Sequence, residues 1–111
     1  MKIYVAHPIT HGDQFINCRE AIQIADHLME LGYTPFIPHL CALWSMITGR
    51  ANYEDWMDWD KVWLENCDGL LRINRETLSK GCDLEEGWAK KKGIPVFYSF
   101  TELLRYKNAG K

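Results

Sequence analysis

The sequence has little that would serve a large partner. Its 111 residues hold thirteen basic and fifteen acidic side chains, for a net charge of -2, so the basic excess that binds DNA or RNA backbones is missing. No apolar run is long enough for a signal peptide or a membrane span. Cys18, Cys41, Cys67 and Cys82 show neither C-x-x-C spacing nor the regular framework of a disulfide-rich secreted domain. They read as free thiols in a reducing compartment, so a cytoplasmic location is expected. Neither a G-x-x-x-x-G-K-[ST] loop nor a G-x-G-x-x-G turn follows the first strand, which removes the two commonest phosphate cradles. His7 and His11 fall on a Pro/Gly loop, and His27 and His39 lie apart from them, so no zinc-ligand spacing is present. No metal and no cofactor is expected. Without repeats, low-complexity stretches or a linker, residues 1–111 read as one domain whose partner is a small ligand, with no nucleic acid polymer and no membrane.

What is present is an alternation of short β-rich runs with helical periods. Lys2 to Ala6 reads as a first strand that stops at His7-Pro8. Phe15, Cys18, Ile22, Ala25 and Met29 then recur at helical spacing as far as Leu31, with Gly32 as the stop. Thr34 to Pro38 reads as a second, edge strand between prolines. Leu40 to Ile47 suggests a short helix, and Tyr53, Trp56, Trp63, Leu64 and Cys67 mark one face of the next. Gly69 to Ile73, a glycine-opened helix from about Gly81, and Ile94 to Tyr98 complete the alternation. Ser99 and Glu102 form a capping box before a last short helix. Such a chain predicts an α/β three-layer sandwich, Rossmann- or flavodoxin-like, with a parallel sheet of four or five strands in the order 2-1-3-4. Ligands bind such sheets outside the strand carboxyl ends, at the switch point between strands one and three. That faces residues His7 to Gly12 towards Asn74 to Gly81.

Glu85 begins its helix on the same rim. It shares an apolar stripe with Trp88 and Ala89, whereas Glu86 and Lys90 form an i, i+4 pair expected on the solvated side. The positive end of the helix favours a carboxylate there, so Glu85 is expected to be ionised. The plainer alternative is that it only complements the helix dipole. Asp60 interrupts an aromatic stripe, where a buried carboxylate needs a partner, water or a ligand; pairing with a surface lysine is the simpler account. Cys82 has no suggestive histidine and reads as a small buried residue. Arg72, Arg75 and Lys80 are the available cations for a phosphate. The five tryptophans suit a core or a subunit interface better than base stacking.

Taken together, "YVA" in the first strand, Asp60 eight residues before Asp68, "CDGLL", and Ser79-x-Gly81-x-x-x-Glu85-x-Gly87-x-Ala89 resemble the nucleoside 2-deoxyribosyltransferase-like superfamily, from Tyr4 to Tyr98. The resemblance implies that Glu85 attacks the anomeric carbon of a nucleoside or nucleotide, that Asp60 protonates or holds the leaving base, and that Tyr4 orients Glu85. It also implies that Ala6, His7, Pro8, Ile9, Asn74, Arg75, Ser79 and Gly81, with Glu85, line the ligand site. Where the enzymes commonly carry glycine or serine after the first strand, or arginine in the nucleotide-cleaving branch, this chain has His7, Pro8 and Thr10. "YVAHPIT" with "SKGC" looks closer to the compact phage and prophage members, among which are anti-Thoeris sponges that hold cyclic ADP-ribose-type signals in the bacterial host cytosol without degrading them.

Two readings therefore stand almost level. One is a nucleotide-binding sponge, slightly favoured by the altered first loop. The other is a deoxyribosyltransferase or N-glycosidase using Glu85 as nucleophile. Five tryptophans, five tyrosines and four phenylalanines in so short a chain also predict a homo-oligomer, at least a dimer, through the helix of Trp56, Trp59 and Trp63 and part of Leu40 to Ile47.

Overall fold

The computed structural model describes residues 1–9, 11–73 and 79–109. Nine elements run β1 (Lys2–Val5), α1 (Gln14–Glu30), β2 (Thr34–Phe36), α2 (Leu40–Thr48), α3 (Tyr53–Glu65), β3 (Gly69–Leu71), α4 (Lys80–Lys92), β4 (Val96–Phe97) and α5 (Phe100–Ala109) among the described residues. The four strands form one parallel sheet in the order β2-β1-β3-β4, with Tyr4 paired to Phe36 on one side and Leu70 on the other. This is the expected α/β architecture.

The strand pleat sorts the core into two layers, because successive side chains point to opposite faces. Ile3, Val5, Leu71 and Phe97 pack with Ala21 and Leu28 of α1 and Leu103 of α5. Tyr4 and Leu70 point the other way, with Ala6, against Leu64 of α3 and Cys82 and Ala89 of α4. Local chemistry fixes where the helices begin. The side chains of Asp13, Asn52 and Ser79 accept from the amides of Ile16, Asp55 and Cys82 at 3.1, 3.1 and 3.2 Å. Gly49 and Gly93, at φ 75° and 78°, close α2 and α4 in the left-handed conformation. The capping box forms in part: the Glu102 amide donates to Ser99 Oγ, but Glu102 Oε2 accepts from the Tyr98 amide, one residue before the cap.

Several expectations need correction. Residues beyond Phe36 leave the ladder because Ile37 and Pro38 offer their carbonyls to the Leu40 and Cys41 amides of α2. The last strand is short because the Ile94 amide bonds Ala89 at the end of α4, and the Tyr98 amide is taken by Glu102. On α1 the buried residues are Ala21 and Leu28, and Phe15, Ile22 and Met29 face outward. On α3 it is Asp60 and Leu64 that are buried, while Tyr53 and Trp63 are exposed and Cys67 lies past the helix. Glu86 is buried and not solvated: Arg72, arriving from β3, donates to it at 3.2 Å while Lys90 holds its other oxygen at 2.9 Å. Despite burial, Lys90, Tyr98 and Arg72 keep its carboxyl below the ordinary glutamate range.

Candidate functional site

The site grows from the centre of the sheet. Tyr4 lies on the middle of three hydrogen-bonded strands and is fully buried, so its hydroxyl needs a partner. It donates to Glu85 Oε2, one full turn into α4. Asp60 comes from α3, which packs beside α4 on this face. It is also buried, and its Oδ1 has no hydrogen-bond partner among the described residues. Tyr4 and Glu85 thus meet across the sequence, with the charge of Asp60 acting on both, because β1, α3 and α4 share one face.

The electrostatics reverse the expected charge state. Burial pushes Glu85 up to about 8, against the pull of the Tyr4 hydrogen bond and with the push of Asp60. Burial also raises Asp60 to about 7. Glu85 is therefore largely protonated near neutrality. Its place as the sixth residue of α4 explains the reversal, since the helix N-terminus acts mainly within the first turn, whereas desolvation acts on the whole carboxyl group. Burial, then Glu85 and Asp60, raise the Tyr4 hydroxyl well above its usual range, so it stays a donor. Two carboxyl groups poised near neutrality beside a fixed phenol can exchange a proton with a ligand, and either can carry charge when the other is neutral.

The rim residues take different places. Ala6, His7 and Pro8 are buried just past β1, where the Ala6 amide still bonds Leu71 at 2.9 Å. Ile9 is half-buried, and its carbonyl accepts from Asn17 Nδ2 at 3.1 Å. Ser79 spends its oxygen capping α4. Among the described residues, nothing lies within 4 Å of where a side chain at Gly81 would begin. Asn74 and Arg75 lie outside the described residues, as does Thr10. Arg72 is not a free cation: it is buried and donates to Asp83 at 2.7 Å as well as to Glu86.

Sequence reasoning missed three parts of this rim. His39, set aside as remote, stands three residues past the end of β2, where its Nε2 donates to Pro8 O at 3.0 Å. Burial lowers it to about 4, which keeps it neutral. Its position immediately after the expected strand was the available signal. Asn17 ties the carbonyls of Ile9 and His11, so the loop after β1 is held from two sides. The third is an aromatic wall. Tyr4 lies 5.6 Å from Phe36, which stacks on Trp63 at 5.1 Å and meets Trp59 at 5.3 Å; Trp59 in turn meets Trp44 and Trp56. Among the described residues no group of three or more His, Cys, Asp or Glu side chains is arranged to hold a metal ion. No helix among them is long and apolar enough to cross a membrane.

Residues 1–99 match a family profile described as a domain of unknown function, DUF7768. The chain belongs to the DUF7768 family. No curated protein matches it. Solved structures similar to this DUF7768 chain include a 2-deoxyribosyltransferase from Bacillus psychrosaccharolyticus, with TM-score 0.64 and 25% identity over 86% of this chain and 69% of that one. A 2-desoxiribosyltransferase from Leishmania mexicana aligns with TM-score 0.62 and 16% identity, over 86% of this chain and 61% of that one. A conserved protein from Enterococcus faecalis V583 aligns with TM-score 0.71 and 23% identity, covering 86% and 60%. The DUF7768 chain has the α/β fold of 2-deoxyribosyltransferase-like proteins and spans between 60% and 69% of their length.

Proposed function

We propose that this DUF7768 chain binds a nucleoside or nucleotide at the Tyr4, Asp60 and Glu85 site and breaks its N-glycosidic bond, passing the sugar to another base or to water. The observation that carries this reading is the Tyr4 hydroxyl donating to buried Glu85, with an oxygen of Asp60 on the same face that has no hydrogen-bond partner among the described residues. In the proposed step the Glu85 proton passes to Asp60, and the ionised Glu85 attacks the anomeric carbon as the carbon-nitrogen bond breaks. The electron pair leaves with the base, which takes a proton from Asp60, itself near its titration midpoint at neutral pH. A second base or water then attacks the anomeric carbon, its proton passes to the Asp60 carboxylate, and the ester carbon-oxygen bond breaks with its electron pair returning to Glu85, so that both carboxyl groups are regenerated. Tyr4 holds the carboxyl in place throughout. Ser79 and the amides near Gly81, where the described residues leave space, would hold the sugar or a phosphate, and we place Ala6, His7, Pro8, Ile9, Asn74 and Arg75 in the same ligand site. The similarity to a 2-deoxyribosyltransferase at 25% identity supports the same chemistry.

A second reading has its own support. Glu85 is held largely protonated near neutrality, and a neutral acid suits hydrogen bonding to a retained ligand better than attack. On this reading the chain is a sponge for a cyclic ADP-ribose-type signal, as in compact phage anti-defence proteins. Either way we propose a homo-oligomer in which the exposed Leu40, Leu43, Met46 and Ile47 of α2 meet another copy together with the tryptophan helix α3. Light scattering giving a monomer at micromolar concentration overturns that part. For the chemistry, the protein is incubated with nucleosides, nucleoside monophosphates and cyclic ADP-ribose isomers, then chromatographed before and after heating. Free base supports the glycosyl reading, and intact ligand released only by heat supports the sponge.

A further inference from the structure

The α1 helix carries an apolar seam that its own core does not use. Phe15, Ile22 and Met29 recur every seven residues and are 81%, 53% and 66% exposed, while Ala21 and Leu28, on a neighbouring stripe, anchor the helix to the sheet. A seven-residue apolar repeat on a straight helix is the pattern by which two helices pack along their length. Half-buried Cys18 and Ala25 stand at the intervening positions, between the seam and the core that Ala25 also touches. Beside the seam stand Arg19 and Asp26, both exposed and without an ion-pair partner among the described residues.

We propose that α1 pairs antiparallel with α1 of a second copy of this chain, with Ile22 on the two-fold axis. The sequence is self-complementary about that residue. Phe15 and Met29 lie seven residues to either side, so each meets the other across the axis. Arg19 lies three residues before it and Asp26 four after, on the same flank of the seam. The pairing therefore sets Arg19 of each copy within one residue of the level of Asp26 in the other, giving two symmetric ion pairs. A partner of different sequence would have to reproduce this reversed order of size and charge; a second copy supplies it by symmetry. The adjacent edge strand does not offer a rival mode, because Pro35 at its centre removes an amide that extension of the sheet into another copy would use. The seam is about 21 Å long at 1.5 Å per residue, at the small end for a specific interface, so the contact is weak and forms at micromolar concentration or above.

This contact is separate from the one proposed for α2, and the experiment distinguishes them by register. Sedimentation velocity is run from low micromolar to several hundred micromolar on wild type, Arg19→Asp, Asp26→Arg and the double exchange Arg19→Asp/Asp26→Arg. All these positions are on the surface, and circular dichroism confirms folding. Each single change sets like charges opposite each other twice and is expected to weaken the association about tenfold, while the double exchange restores it. Ile22→Glu, which puts two carboxylates on the axis, abolishes it. Unchanged association in the single variants, or a double exchange no better than either single one, overturns the proposal and leaves the seam to a different partner.

Discussion

Glu85→Gln probes the electrostatics of the site without requiring any activity. In the unfolded chain this carboxyl titrates near 4.5, and in the folded chain burial holds it at about 8. Across that window the folded protein keeps a proton that the unfolded chain releases, so the Glu85 contribution to stability is fully present below about pH 4.5 and is lost as pH rises to about 8. At 1.36 kcal/mol per pKa unit the gap is worth about 3 to 5 kcal/mol. Glutamine keeps the size and the acceptor for Tyr4 but cannot ionise. The two proteins should be nearly equal in stability at pH 4.5 to 5, and the variant should be ahead by about 3 to 5 kcal/mol at alkaline pH. Asp60, raised from 3.8 to about 7, makes both proteins lose stability over its own lower window. Urea unfolding at half-unit intervals from pH 4.5 to 9 measures the difference. Parallel curves for the two proteins, or a wild type that gains on the variant as pH rises, would refute the reasoning.

Tyr4→Phe removes the hydrogen bond that lowers the Glu85 pKa, so the pH at which activity appears should move up by about one to two units and the rate at pH 7 fall roughly 10- to 100-fold; a pH-rate profile with an unmoved midpoint contradicts this. Arg72→Met strips buried Glu86 of one cationic partner and should cost about 2 to 4 kcal/mol in urea unfolding, with a loss under 1 kcal/mol showing that Lys90 alone suffices. Gly69→Ala sets a methyl 2.9 Å from Phe97 Cε2 and 3.3 Å from Ile3 Cδ1, an overpacking expected to cost about 1 to 3 kcal/mol by thermal unfolding. A neutral result there would mean that Phe97 yields freely.

The sheet order was readable from the sequence because two periods alternate and parallel crossovers take one hand, which leaves few ways to place four strands. Tyr4, Asp60 and Glu85 could be named from the resemblance, and the topology then puts them on one face. Other features depend on what packs where. On α1 two apolar stripes run side by side, Ala21 with Leu28 and Phe15 with Ile22 and Met29, and periodicity finds an apolar face without saying which stripe meets the sheet. Glu86 looked solvated beside Lys90, and only the arrival of Arg72 from a distant strand draws it inward. The charge of Glu85 was misjudged for a similar reason: the helix position is visible in the sequence, but the burial of the carboxyl group and the charge of Asp60 brought near it are not.

The central claim is that Glu85 carries the sugar, and mass spectrometry of the protein tests it most directly. Wild type is mixed with a panel of purine and pyrimidine 2′-deoxynucleosides without an acceptor base, quenched in acid after short times, and digested. The account predicts released base together with one deoxyribosyl group on the peptide that contains Glu85, with neither in Glu85→Gln. Base released with the sugar on another residue, or no base from any nucleoside while ligand is recovered intact from the protein, would contradict it.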